Sequence, residues 1–332
     1  MTRSKSTAKA RRAQQRQRVR RRRLVLTSVV VVVAAAAVAG LVWWTAGRQP
    51  GSQAGRSVER LMHVHGLAVA PWAPDDVYVA THEGLARIDA GGAWRYISEQ
   101  PHDFMGFSAN PTDDGVFYSS GHPAPGTDLA NPVGFMVSTD GGATWSPRSL
   151  QGQVDFHAMT VAPSDGDVVY GWNGAGRAGL YVSSDGGASW DIAGGGMLEQ
   201  VGGALSLAVR SDAPDEVWAG TQAELLASRD AGRSWESVLP GAVTAVAFDP
   251  ADADRVVAYA ADGDGLVESR DGGQTWSELG LVVDGEDAAS HIAVHPDDPQ
   301  TLYVGTYGEG LQRTTDGGNN WEPLAEAGVP RD

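Results

Sequence analysis

One eight-residue pattern constrains the fold of this chain more than any other feature. Its best copies read Ser-x-Asp-Gly-Gly-x-Thr-Trp, and successive tryptophans lie 45, 45, 41 and 45 residues apart. Regular spacing of this length indicates repeated supersecondary units. Five copies keep the Ser or Thr, the Asp, a Gly and the Trp, and a sixth begins with Arg: Ser138–Trp145, Ser183–Trp190, Ser228–Trp235, Ser269–Trp276, Thr314–Trp321 and Arg87–Trp94.

The residue types of the pattern predict a tight turn between two strands. An Asp carboxylate can accept hydrogen bonds from the backbone N–H groups of its own turn, and Gly supplies the positive φ that a hairpin turn needs. The Trp that follows is a large apolar anchor for the returning strand. The six repeated aspartates are therefore expected to be structural: Asp89, Asp140, Asp185, Asp230, Asp271 and Asp316.

Each repeat contains four strand-sized segments. In the first repeat these are residues 65–71, 76–81, 84–88 and 94–97. Four strands repeated every 40–45 residues are typical of propeller blades. The sequence therefore predicts an all-β, six-bladed β-propeller with four-stranded blades over residues 61–328. The inner strands of the later blades are expected at residues 104–111, 156–163, 204–210, 242–249 and 290–294.

The repeat resembles the Asp-box, or BNR, repeat of sialidases, sortilin-type propellers and bacterial glycosyl-hydrolase-like propellers. The resemblance covers residues 63–327, nearly the whole predicted propeller. In those families the box is structural, so the resemblance implies that any catalysis occurs away from the boxes. A sialidase is not expected, because several arginines, including Arg87 and Arg229, belong to box-bearing strands and no clear trio remains to bind a substrate carboxylate.

The N-terminus has the pattern of a membrane anchor. Residues 1–23 hold 11 of the 25 Lys and Arg and no acidic residue, which predicts a basic cytoplasmic tail. Residues 24–44 carry no charge and are long enough to cross a bilayer, so a transmembrane anchor is predicted over 24–47 and a linker over 48–60. The propeller is then extracytoplasmic. Secretion after cleavage near Ala39 is the alternative.

Charge and cysteine content limit the partners of the propeller. All 41 Asp and Glu lie beyond residue 47 against 14 Arg, so this part carries 14 − 41 = −27 charges. Nucleic acid is therefore not expected as a partner. The chain has no cysteine and cannot contain a disulfide. The expected partners are a glycan or a cell-surface protein, together with the membrane through the N-terminal helix.

Histidines concentrate on one predicted face of the first three blades. In an antiparallel blade the starts of inner strands and the ends of second strands share a face, and the Asp boxes lie on the other. Asp103 and Asp155 begin inner strands on the first of these faces. Six of the eight histidines are predicted to join them: His63, His65, His82, His102, His122 and His157.

Three functions fit such a face. A glycoside hydrolase would use Asp103 and Asp155 as its two carboxylates. A non-catalytic propeller would bind a glycan or protein, or assist assembly at the cell surface. In either case the predicted ligand-binding residues are His82, His102, His122, Tyr118, Trp172 and Tyr307.

The third function is metal binding by His63, His65 and His157. Imidazole is a common ligand for zinc and copper, and His63 and His65 at alternate positions of one strand can point the same way. Without cysteine, the expected metals are Zn, Cu(II) or Ni rather than Cu(I). The candidate cofactors are therefore Zn or Cu.

Overall fold

A computed structural model describes residues 52–193, 196–283 and 287–331. The predicted basic tail and transmembrane anchor, residues 1–47, lie outside these ranges. Within these ranges, no helix has the length and apolar character needed to cross a membrane.

The described chain forms six antiparallel sheets, each built from consecutive strands. Blade 1 contains β1 (Val64–Ala70), β2 (Ala73–Thr81), β3 (Gly84–Ile88) and β4 (Trp94–Tyr96). Blade 2 contains β5 (Asp103–Ala109), β6 (Phe117–His122), β7 (Phe135–Ser138) and β8 (Ser146–Ser149). Blade 3 contains β9 (Phe156–Ala162), β10 (Asp165–Asn173), β11 (Gly179–Ser184) and β12 (Asp191–Ala193).

The second half of the ring has the same organisation. A short helix, α1 (Met197–Gln200), precedes blade 4. Blade 4 contains β13 (Ser206–Val209), β14 (Val217–Gly220), β15 (Glu224–Ser228) and β16 (Glu236–Pro240). Blade 5 contains β17 (Val243–Phe248), β18 (Val256–Ala260), β19 (Gly265–Ser269) and β20 (Ser277–Glu278). Blade 6 contains β21 (Ala289–Val294), β22 (Leu302–Thr306), β23 (Leu311–Thr314), β24 (Glu322–Glu326) and β25 (Val329–Pro330).

The six-bladed propeller is confirmed, with one difference in blade 6. There β25 pairs with β24, so the sheet has five strands rather than the predicted four. The ring closes because β21 packs against β1 and the Leu61 N–H donates to the Gly328 carbonyl at 2.7 Å. Part of the segment assigned to a linker contacts blade 1, since the Gly55 N–H donates to the Tyr96 carbonyl at 2.8 Å.

The Asp boxes form the turns that their sequence predicts. In the copy Ser183–Trp190, Asp185 Oδ1 accepts hydrogen bonds from the Ser189 N–H at 2.9 Å and the Ser183 hydroxyl at 2.8 Å. The Ser183 hydroxyl oxygen in turn accepts the buried Gly187 N–H at 2.8 Å. The Trp190 indole N–H donates to the Gly187 carbonyl at 3.1 Å. Side chain and backbone thus stabilise each other within one turn.

Inner strands approach one another closely around the axis. A Cβ atom on Gly66 would lie 2.5 Å from Phe107 Cβ, and one on Gly106 would lie 2.5 Å from the Phe156 carbonyl oxygen. Side chains larger than hydrogen are therefore excluded at these two positions. Each inner strand has a large apolar residue at the position equivalent to Leu67, directly after Gly66. These residues line an axial channel of about 220 Å³: Leu67, Phe107, Met159, Leu207, Val246 and Ile292.

A β-bulge interrupts five of the inner strands at an equivalent position. In β1, Val64 pairs with Thr81 and Gly66 with Ala80, which leaves His65 as the extra residue. Such a bulge redirects the side chain of the extra residue. The extra residues are His65, His157, Thr244 and Ser290. In β5, Met105 and Gly106 together are opposite Ser120, and Met105 is equivalent in position to His65. Leu205 holds the equivalent position before β13.

The buried hydroxyl of an Asp box can be tested by substitution. Replacing Ser183 by Ala leaves the buried Gly187 N–H without its acceptor, so we expect the free energy of unfolding to fall by about 1–3 kcal/mol. Chemical denaturation measures this change. The matched control is Ser189→Ala, whose exposed hydroxyl donates only to Asp185. Equal losses from the two variants would contradict the stabilising role of the buried bond.

Candidate functional site

A cavity of about 340 Å³ opens at the end of the axial channel where the inner strands begin. Strand register places it away from the Asp boxes: Val64 at the start of β1 is opposite Thr81 at the end of β2, whereas Val77 near the other end is opposite Ile88, just before a box. The side chains that line the cavity include His63, His65, Met105, Asp155, His157, Trp172, Ser290, His291 and Tyr307.

His82 and His65 face each other beside this cavity. The His82 Nδ1–H group donates to Asp103 Oδ1 at 2.7 Å, so Nε2 of the neutral ring is a hydrogen-bond acceptor. That Nε2 lies 3.1 Å from His65 Nε2, which is within hydrogen-bonding distance. His82 occupies the short turn after β2, where the Thr81 hydroxyl donates to the Gly84 carbonyl at 2.9 Å. The turn and the carboxylate together orient the imidazole.

His63 completes a group of three imidazoles. Its ring centroid is 5.0 Å from that of His82 and 6.0 Å from that of His65. Its φ of 53° lies in the left-handed region, which a non-glycine residue adopts at a cost of about 1–3 kcal/mol. Strain of this kind concentrates at functional sites. The strained residue and the neighbouring bulge at His65 together place both rings near His82.

Burial lowers the pKa of three histidines that line the cavity, His63, His65 and His291. Burial, with the positive charge that His82 would carry, lowers the pKa of His63. Burial and four neighbouring histidines lower the pKa of His65 well below its usual value. Burial also lowers the pKa of His291 to about 4. Neutral imidazoles have a lone pair available at neutral pH, which is the form that binds metals.

A second cluster is centred on Asp155. Its Oδ2 accepts a hydrogen bond from His157 Nε2–H at 2.9 Å and lies 3.4 Å from His122 Nε2. Burial disfavours charge on His122, but the Asp155 carboxylate and Asn131, 2.6 Å from Nδ1, raise its pKa to about 9. Burial likewise opposes ionisation of Asp155, yet the two histidines hold its pKa below the usual range. Oδ1 of Asp155 is buried without a partner.

The first cluster has the dimensions of a metal site. Among the residues that the structure describes, one ligand atom each from His65, His82 and Asp103 lie within 4.8 Å of one another. Two imidazole nitrogens bound tetrahedrally to one zinc ion are about 3.3 Å apart. The 3.1 Å separation of the two Nε2 atoms is close to that value. Asp103 then holds the other nitrogen of His82, as carboxylates commonly do behind metal-bound histidines.

The structure gathers many of the predicted residues at the cavity. His63, His65, His157 and Asp155 line it, and His82 and His122 contact the residues that do. Trp172 also lies in its wall, where its ring packs on the backbone of Gly203. Burial raises the pKa of Tyr307, another wall residue, to about 12, so its hydroxyl remains protonated.

Three predicted residues lie elsewhere. Tyr118 is at the start of β6, near the box end of the blade, where its buried ring packs against Phe135. His102 is buried and accepts the Ala124 N–H at 3.0 Å, so it supports the insertion after β6. Asp103 is buried behind His82 and does not line the cavity. Tyr118 and His102 therefore do not line the cavity, and ligand binding by them stays a prediction.

Two residues of the cavity were not anticipated from sequence. His291 is in blade 6, where its Nδ1 lies 2.9 Å from the Ser290 hydroxyl oxygen. Met105 is in β5, between His65 of β1 and His157 of β9 in the order of the ring. Alignment of the inner strands on Leu67, Phe107 and Met159 would have found Met105, because it precedes Phe107 by two residues.

Comparison with known proteins supports the repeat assignment. Residues 136–147 and 267–278 match the BNR/Asp-box repeat. The GH74 xyloglucanase from Xanthomonas campestris is 22% identical, with a TM-score of 0.55 over 81% of this chain and 46% of that enzyme. The GH74 enzyme of Niastella koreensis is 16% identical, with a TM-score of 0.54 over 84% of this chain and 55% of its own.

A smaller protein shows a weaker likeness. YCF48 from Cyanidioschyzon merolae is 15% identical, with a TM-score of 0.48 over 82% of this chain and 87% of its own. No curated protein sequence matches the chain. The chain is thus a β-propeller with BNR/Asp-box repeats, and it spans about half the length of the GH74 enzymes whose fold it shares.

The ion pair between His122 and Asp155 predicts a pH-dependent stability. The pKa of His122 rises from 6.5 to about 9 on folding, so its contribution is complete below pH 6.5 and disappears as the pH rises through 9. The contribution of Asp155 disappears only as the pH falls below 3.8. Relative to His122→Gln, we expect the wild type to be more stable by up to about 3 kcal/mol near pH 6 and by little at pH 10.

Denaturation of the two proteins between pH 6 and pH 10 measures this difference. His295→Gln is the control, since that imidazole is in blade 6 and accepts only backbone N–H groups of its own turn. A difference between wild type and His122→Gln that does not change with pH would contradict the assigned ion pair.

Proposed function

We propose that this protein is a metal-binding propeller, with the metal held at the mouth of its axial channel. The observation that carries the proposal is the 3.1 Å approach of His65 Nε2 to His82 Nε2, with Asp103 bonded to the far nitrogen of His82. Two converging imidazoles, one of them oriented by a carboxylate behind it, are nitrogen donors suited to zinc or copper.

His63, His65 and His82 would supply the ligands. All three rings lie within 6.0 Å of one another by centroid. The lowered pKa values of His63 and His65 favour metal binding, because protons compete weakly for their nitrogens. Three protein ligands leave one position of a four-coordinate metal for a small molecule. The adjoining cavity of about 340 Å³ would receive that molecule.

A two-carboxylate glycoside hydrolase has less support. That mechanism needs both carboxyl groups beside the scissile bond. Asp155 lines the cavity, but Asp103 is buried and bonded to His82. The fold shared with GH74 enzymes does not by itself define an activity. A sialidase would need arginines at its active site to bind a substrate carboxylate. The arginines of the box strands instead pair with acidic neighbours: Arg87 with Asp76, Arg229 with Glu236, Arg270 with Glu268 and Arg313 with Glu322.

We further propose that the propeller is tethered outside the cytoplasm by residues 24–47. The basic run over residues 1–23 favours a cytoplasmic N-terminus, since positive residues remain on that side of a membrane. The net charge of −27 beyond residue 47 would raise the local concentration of cations near the propeller. Both features suit a protein that binds a metal ion outside the cell.

Isothermal titration of the metal-free full-length chain with zinc tests the proposal. We expect one ion per chain for the wild type and loss of this binding in the His65→Ala/His82→Ala double variant. Asp103→Asn should weaken binding by about 10–100-fold, because the carboxylate orients His82. His295→Ala, which changes a histidine outside the cavity, is the matched control. Equal uptake by wild type and double variant would overturn the proposal.

A further inference from the structure

Met105, at the bulge position of β5, places a sulfur atom in the wall of the cavity that His63, His65, His157 and His291 line, here called the histidine cavity. Proceeding around the ring, β1, β5 and β9 present His65, Met105 and His157 at equivalent positions. All three side chains line the cavity of about 340 Å³. The same position in the other blades holds Leu205, Thr244 and Ser290. The only sulfur among these six positions therefore lines the same cavity as His63 and His65, two of the proposed metal ligands.

Met105 is held in place by its surroundings. It is 3% exposed and lies two residues after Asp103, the residue that binds His82. A Cβ atom on Gly121 of the paired strand would lie 3.1 Å from Met105 Cγ, so the strand passes close beside this side chain. The backbone that positions the carboxylate behind His82 thus also positions the thioether.

We propose that the metal of this site is copper and that the Met105 thioether is a ligand to Cu(I). This inference rests on the proposed metal site. Thioether sulfur is a soft ligand that selects Cu(I), whereas zinc is bound by thiolate, imidazole or carboxylate. Imidazoles suit both Cu(II) and Cu(I), so a site with His65, His82 and Met105 can hold copper in both oxidation states. The expectation that Cu(I) is excluded considered only cysteine as a sulfur ligand.

A packing role is the alternative for Met105. Methionine often fills irregular gaps in a core, and Leu replaces it there at small cost. Met159 shows that role in this protein, since it lines the axial channel but not the cavity of about 340 Å³ that Met105 lines. The two methionines belong to neighbouring inner strands, and only Met105 lines the cavity of about 340 Å³. They therefore form a matched pair for an experiment.

The test compares Met105→Leu with Met159→Leu in the full-length chain. Cu(I) affinity is measured without oxygen by competition with a chromophoric Cu(I) chelator, and Zn²⁺ affinity by calorimetry. We expect Met105→Leu to weaken Cu(I) binding by at least about tenfold and to change Zn²⁺ binding by less than about threefold. Met159→Leu should change neither. X-ray absorption of the Cu(I)-loaded wild type should show a sulfur neighbour that Met105→Leu lacks.

The outcomes distinguish failure of the inference about Met105 from failure of the proposed metal site. If Met105→Leu binds Cu(I) as tightly as the wild type, or if wild-type copper has no sulfur neighbour, Met105 is not a ligand and the inference fails. Zinc binding that depends on His65 and His82 would still stand in that case. If the wild type binds neither Cu(I) nor Zn²⁺, the metal site itself is wrong.

Discussion

The close contact between neighbouring inner strands is the constraint on which this structure depends. Gly66 and Gly106 permit that contact, because a side chain at either position would overlap the next strand. Five inner strands also have a β-bulge at an equivalent position. Four residues at this position line the cavity at the mouth of the channel: His65, Met105, His157 and Ser290. Packing of the ring therefore creates a layer of axial side chains at one mouth of the channel.

The candidate site is this layer, supplemented by the loops above it. His65 and His157 come from bulges, and His82 comes from the turn after β2. Each of the two carboxylates bonds to histidine, Asp103 to His82 and Asp155 to His157. Apolar neighbours keep several imidazoles neutral, whereas the carboxylate beside His122 keeps that ring protonated. The mouth thus contains a neutral side with the proposed metal ligands and a charged side around Asp155.

The Asp boxes lie at one end of the blades and the candidate site lies at the other, and the two ends have different roles. At the box end, Asp and Ser side chains satisfy the backbone of tight turns, and the same bonds recur around the ring. Recurrent bonds of this kind stabilise blades and carry no specificity. At the other end, the side chains differ between blades: histidines of blades 1, 3 and 6 line the cavity, whereas blade 4 contributes Ala204 and Leu205. A fold shared with GH74 enzymes therefore does not define the chemistry at this end of the blades.

Local sequence determined the number of blades, the strands and the Asp-box turns. Each depends on residues close together in the chain, such as Asp185 and the N–H group of Ser189. The histidine-rich face also followed from the sequence, because antiparallel strands alternate in direction. Only the tertiary structure decided which side chains meet. Register placed Tyr118 at the box end, packing buried Asp103 behind His82, and the bulge position of β5 placed Met105 in the wall of the cavity. A shift of one residue moves a side chain to the opposite face of a strand, and strand pairing sets that shift.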